Sequence, residues 1–182
     1  ESGGSGGDAQ RATAANDAWT RGPKNLLYMR VNFPDDLTEP ISEAQAYGVM
    51  DSANDFYTEG SYDVTSLSSI VTPLMTLPKT KWWYSTAGPG ALINDAREAA
   101  RRVGFETANY QLDIVALTPV PEYDWGGLGA VHGKSTWLQS TGVGVTTHEL
   151  GHNYGLWHAN FWDAITNHSI IAAGTNLEYG NI

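Results

Sequence analysis

Cysteine is absent from the chain. No disulfide framework, thiol nucleophile or cysteine–zinc site is possible, so any metal must be held by His, Asp or Glu. Basic residues are scarce: 10 Lys and Arg face 20 Asp and Glu, for a net charge of −10. With no basic run and no basic amphipathic stretch, no nucleic-acid partner is expected. The acid excess reads as a solvated surface that aids solubility. Long apolar runs are missing as well. None approaches the ~20 residues needed to cross a bilayer, so no membrane insertion is expected. The opening residues are polar and glycine-rich, with no signal peptide, and read as the start of a mature or a trimmed form.

What is present suits one globular domain. The 182 residues are 41 % hydrophobic and 16 % charged, enough for a sizeable core. Residues 1–23 are rich in Gly, Ser, Ala and Asp and read as a linker. Residues 24–182 read as the folded domain. Asn25 to Phe33 is a mostly apolar run ended by Pro34-Asp35-Asp36, which predicts a buried strand and a turn. From Ile41 to Tyr57 apolar residues recur in steps of three and four, the pattern of a helix with one buried face. Two short strand-like runs follow between Ser61 and Leu77, with Pro73 marking an edge or a bulge. Ala91 to Val103 predicts a helix stopped by Gly104. Tyr110 to Leu117 reads as a buried strand, Leu128 to Leu138 as a strand loosened by glycine, and Val143 to Tyr154 as a helix ended by Gly155. Helices alternating with strands predict an α/β sandwich on a mostly parallel sheet with one antiparallel edge strand.

The most informative segment is THELGHNYGLWHAN, Thr147 to Asn160. It contains H-E-x-x-H-x-x-G-x-x-H: His148, Glu149, His152, Gly155 and His158. Residues four apart on a helix lie one turn above each other, so His148 and His152 can share one Zn²⁺ at ~2.0–2.1 Å. Glu149, the next residue round the helix, can reach a water on that ion without being a ligand. Gly155 tolerates the left-handed conformation that ends a helix and turns the chain back, which can return His158 to the same ion. Three imidazoles leave a coordination position open, as in a catalytic site. Zinc there would acidify its water and polarise a scissile carbonyl, with Glu149 as general base. Five fixed positions arise by chance on the order of 10⁻⁵ times per chain of this size.

This segment resembles the zinc signature of the metzincin peptidases, most closely the gametolysin-like and reprolysin-like members. A weaker likeness runs over most of residues 24–182: the strand ending in Asn32-Phe33-Pro34-Asp35, the helix running into DFYTEGSYD, and LINDAREAA before YQLDIVAL. The resemblance implies a zincin-like fold: a twisted sheet of about five strands whose antiparallel edge lines the cleft, packed on helices that include the zinc-binding one. Leu128 to Leu138 is then the candidate edge, to which a peptide can add as a further strand. Gly129 and Gly133 suit close approach of another backbone, and a bulge or bend explains them equally well. The implied protein is a secreted zinc endopeptidase acting on protein or peptide, expected to be monomeric. Absence of cysteine is ordinary in a bacterial secreted domain, and a bacterial source is the expectation. Two departures stand out. The family has a methionine turn after the third histidine, yet Met29, Met50 and Met75 all precede His148. The segment Asn176 to Gly180 is like one that comes shortly before that turn, so the domain is expected to be cut just ahead of it. Ala159 after the third histidine favours no subfamily.

Other residues invite functional readings. His132 and His168 are further possible ligands, though exposed histidines are the plainer expectation. Trp157 can line the cleft or pack, and packing is expected. Trp82-Trp83-Tyr84 suits a carbohydrate platform or simple packing, with packing expected. Asp35-Asp36 and Glu178 can bind calcium, but no calcium-loop motif supports Ca²⁺. Tyr179 stands too early for a catalytic tyrosine of the metzincin kind. The rival functions are an exopeptidase or cell-wall specialist on the same scaffold, and a zinc-stabilised adhesion module.

Overall fold

A computed structural model of the chain describes residues 18–164 and 174–178. After a 3-10 turn at Ala18–Thr20, the elements are β1 (Gly22–Asn32), α1 (Glu43–Gly60), β2 (Thr65–Thr76), α2 (Lys81–Ala87), α3 (Pro89–Arg102), β3 (Leu112–Ala116), β4 (Gly127–Gly129), β5 (Ser135–Leu138), α4 (Val143–Asn153), β6 (Asn160–Ala164) and β7 (Gly174–Glu178). Five strands form one sheet in the order β2-β1-β3-β5-β4, and β6 pairs with β7 in a separate antiparallel ladder. In the main sheet only β4 runs antiparallel, against β5. The mostly parallel sheet with one antiparallel edge strand is therefore as expected.

Helices cover both faces of this sheet, which explains why β1 is buried on both faces from Leu26 to Asn32. Successive β1 side chains point to opposite faces. Leu26 and Tyr28 join a core with Ala46, Met50, Ala53 and Tyr57 of α1 and Leu150 of α4. Leu27, Met29 and Val31 join a second core with Leu92, Ile93, Ala96 and Ala100 of α3. A capping box starts α1: Ser42 Oγ accepts the Gln45 N–H, and the Gln45 side chain accepts the Ser42 N–H. Gly104, at φ +96°, follows the last turn of α3. Val103 lies outside the buried stripe there and is exposed.

Three expectations need revision. The two short runs between Ser61 and Leu77 form one long strand, β2, whose register with β1 shifts between Tyr28 and Arg30. Pro73 sits at that shift on an edge strand, where its missing N–H disturbs no ladder. The run from Leu128 to Leu138 is a hairpin rather than one strand. It turns at residues with His132 at φ +54°, so the edge is β4 alone and β5 lies inside the sheet. The last residues of the expected linker are ordered by contacts: Trp19 Nε1 donates to the Asn153 carbonyl at 2.8 Å and packs against the α1 side of the core. Residues 1–17 lie outside those described.

Candidate metal centre

Helix α4 is short, and three neighbours hold it. Tyr57 Oη of α1 donates to the Thr147 carbonyl at 2.6 Å. Its ring packs 4.9 Å from Tyr154, whose hydroxyl bonds the Thr65 hydroxyl at 3.0 Å. On the other side stands Asn153, fully buried. Asn153 Nδ2 donates to the carbonyls of Ala130 and Ser135 at 3.1 and 3.0 Å, and its Oδ1 accepts from Thr136 Oγ1 at 2.7 Å. Both of its N–H donors and its oxygen thus have partners, as a buried amide requires. These bonds fix the C-terminal end of α4, and with it His152, against the β4–β5 hairpin. Asn153, Tyr57 and Trp19 were not anticipated as site residues. Their partners are distant in sequence, and the sole cue was a poor helix former placed directly after His152.

The helix ends as the glycine spacing predicts. Gly155 adopts φ +93°, its N–H donates to the His152 carbonyl at 2.8 Å, and the Leu156 N–H donates to the Gly151 carbonyl at 3.0 Å. This pair of bonds is a Schellman motif, which reverses the chain. His158 is thereby carried back over the helix. The ring centroids of His148 and His152 are 4.9 Å apart, those of His152 and His158 4.8 Å, and those of His148 and His158 5.2 Å.

One ligand nitrogen from each ring lies within 4.8 Å of the other two. His148 Nε2 and His158 Nε2 are 3.3 Å apart, and two nitrogens on a tetrahedral ion at ~2.0–2.1 Å stand about 3.3–3.4 Å apart. A small side-chain rotation brings any wider pair under the ~4.2 Å that two ligands of one ion can span. His152 is oriented for the same task. Its Nδ1 lies 2.8 Å from the Leu156 carbonyl, which can only accept, so Nδ1 carries the proton and Nε2 keeps its lone pair. The donor set fits a metal of the zinc type, and these three residues can hold it. Among the described residues no other trio of His, Asp or Glu is placed to share an ion.

Glu149 lies beside this trio with only 7 % of its surface exposed. Burial raises its pKa above the ordinary carboxylate value, against the opposing pull of the three imidazoles and the Gly129 N–H. The close fit of β4 over α4 is glycine-dependent. A Cβ on Gly129 would stand 2.2 Å from the Glu149 carbonyl oxygen, and one on Gly127 2.7 Å from the Glu149 Oε1. The backbone that approaches Gly129 is thus that of α4. Gly133 fits the bend reading, since a Cβ there would meet Ala130 within the turn. We expect Gly129→Ala to push β4 off the helix and lower stability by about 1–3 kcal/mol. Gly127→Ala should displace the carboxylate and lower turnover more than stability. Thermal unfolding and peptide turnover of both variants check this; two wild-type-like proteins would refute the tight fit.

Between β4 and α4 lies an open cleft of about 420 Å³, lined by Trp125, Gly127, Leu128, Gly129 and Val131, by His148, Glu149 and His152, and by Trp157 and His158. The family model described as Gametolysin peptidase M11 matches residues 43–167, more than half of the chain and all of the histidine segment. The chain belongs to the gametolysin family. It is therefore a metallopeptidase with a zincin-like fold. No curated protein gives a match.

The remaining candidates take other places in this gametolysin-family domain. His132 contributes its backbone: its N–H donates to the His152 carbonyl at 2.8 Å, and its ring lies 6.3 Å from Trp19, outside the trio. Asp35 accepts the Lys81 N–H at the start of α2, and Asp36 pairs with Lys81 and accepts from Thr118 at 2.9 Å. Both carboxylates thus serve the turn and the helix start. Tyr84 is in the core, whereas Trp82 and Trp83 are exposed on α2. Trp157, expected to pack, stands open at the cleft. His168, Tyr179 and the side chain of Glu178 lie outside the described residues.

Proposed function

We propose that the protein is a zinc-dependent endopeptidase, with His148, His152 and His158 as the metal ligands and Glu149 as general base. The supporting observation is the convergence of three imidazoles beside a buried carboxylate on an open cleft. Zinc bound there would polarise the scissile carbonyl and make a water nucleophilic near neutral pH. Glu149 accepts a proton from the attacking water and later delivers it to the leaving amine. Its burial increases its proton affinity, which favours taking up the proton from the water. The β4 edge beside the site offers backbone groups to an extended peptide, and the Leu156 carbonyl keeps His152 in the required tautomer.

The lining favours internal cleavage. An exopeptidase holds a chain terminus with a charged group, and among the described residues the charged or titratable groups lining this cleft are Glu149 and the three histidines. All four are assigned to the reaction centre. A purely structural zinc site would close its fourth position with protein, whereas this trio borders a cleft.

The test is metal removal. Chelator-treated protein should cut no member of a random peptide library, and one equivalent of Zn²⁺ should restore internal cuts seen by mass spectrometry. Cleavage that persists without metal would reject the zinc assignment. Loss of terminal residues only would favour an exopeptidase.

A further inference from the structure

The last turn of α4 carries His152 and opens into the loop that returns His158. A helix leaves its final carbonyls without partners inside the helix. Here the loop meets some of them: the Tyr154 N–H reaches the Leu150 carbonyl, the Leu156 N–H the Gly151 carbonyl and the Gly155 N–H the His152 carbonyl. The Asn153 carbonyl is met from far along the chain, by Trp19 Nε1 at 2.8 Å. Trp19 lies ahead of β1 and outside residues 43–167, which the family model matches. Its partly buried ring packs on the core that includes Leu150 and Tyr154. It lies 6.3 Å from the ring of His132, whose N–H also holds the His152 carbonyl. A second route joins the same two segments. The Thr65 hydroxyl donates to the Gly22 carbonyl and accepts from Tyr154 Oη, each at 3.0 Å.

We propose that Trp19 is a positioning residue of the metal centre, and that residues 18–22 form a strap holding the last turn of α4 so that His152 and His158 stay placed for one ion. This rests on the reading of the three histidines as metal ligands. Asn153 is fully buried, and a buried acceptor that loses its donor carries a desolvation cost. Loosening of the turn towards water relieves that cost, and loosening displaces the ligands that the turn and its loop carry. Ligands that must first be ordered bind an ion more weakly, because binding has to supply the ordering. The backbone ahead of β1 thus sets metal affinity from outside the histidine segment.

The test uses the whole chain, stripped of metal and titrated with Co²⁺ against a chelator, at a temperature where circular dichroism shows every protein fully folded. Trp19→Phe keeps a ring in place and removes the N–H. It should bind Co²⁺ about three- to tenfold more weakly than wild type. Trp19→Ala, which removes the packing as well, should bind more weakly still. A role in folding alone would lower the unfolding temperature of the metal-free protein and leave the affinity of the folded state unchanged. Wild-type affinity in folded Trp19→Phe would therefore overturn the proposal, and this variant decides the matter even if Trp19→Ala does not fold. Trp82→Phe, at an exposed tryptophan on α2, should bind as wild type does; an equal loss there would also overturn it. If wild type binds Co²⁺ and Trp19→Phe binds it equally well, this inference alone falls. If wild type takes up no Co²⁺, the metal reading falls and takes this inference with it.

Discussion

Replacing Glu149 by alanine should leave zinc stoichiometry intact while kcat/KM falls by about 10²–10⁴-fold. The two readouts separate because Glu149 lies beside the trio without belonging to it. Its carboxylate is buried against Gly127 and Gly129, and among the described residues no other carboxylate lines the cleft. None of these lining side chains can therefore take over the proton transfers. Glu149→Gln, which keeps the shape and removes the basic oxygen, should show the same loss. Metal analysis with steady-state kinetics decides the matter: turnover equal to wild type in either variant would remove Glu149 from the role of base, and loss of zinc would make it a ligand.

His152→Ala should abolish zinc binding and turnover together. The tautomer of His152 is set by a backbone carbonyl, so its Nε2 is the nitrogen turned to an ion. Its ring is also the one within 5 Å of both others, at 4.9 and 4.8 Å. Removing it leaves two ligands, too few for a stable tetrahedral site. The fold should survive, because Asn153 and Leu150 still anchor the helix through the hairpin and the core. Zinc stoichiometry after dialysis, measured beside thermal unfolding of the metal-free proteins, tests this. Full zinc occupancy in His152→Ala would exclude it from the metal site.

Much of the domain was legible because its signals are local. The alternation of Leu26 to Val31 marks a strand buried on both faces, and the stripe Leu92, Ile93, Ala96 and Ala100 marks one face of a helix. Each pattern repeats within a few residues, so periodicity alone reveals it. Gly104 and Gly155 stop their helices for the same reason: both adopt positive φ, which an L side chain resists. Where a boundary was misplaced, the deciding contact was distant. The hairpin between β4 and β5 was hidden because Gly127 to Leu138 contains no strong turn dipeptide. It is held instead by the bonds of Asn153 and by the His132 N–H to the His152 carbonyl. Trp19 looked like linker because the carbonyl that holds it belongs to Asn153, 134 residues away.

Sequence alone determined the chemistry on offer. The spacing of His148, Glu149, His152, Gly155 and His158 names three candidate nitrogen ligands, one carboxylate and a turn, because helix pitch and a left-handed glycine are properties of a single short segment. Only the tertiary structure decided the surroundings: which strand forms the cleft edge, that Gly127 and Gly129 admit α4, that burial raises the proton affinity of Glu149, and that Trp157 faces water. Those are properties of elements that meet only after the chain has folded. No local spacing encodes how near a distant backbone will come.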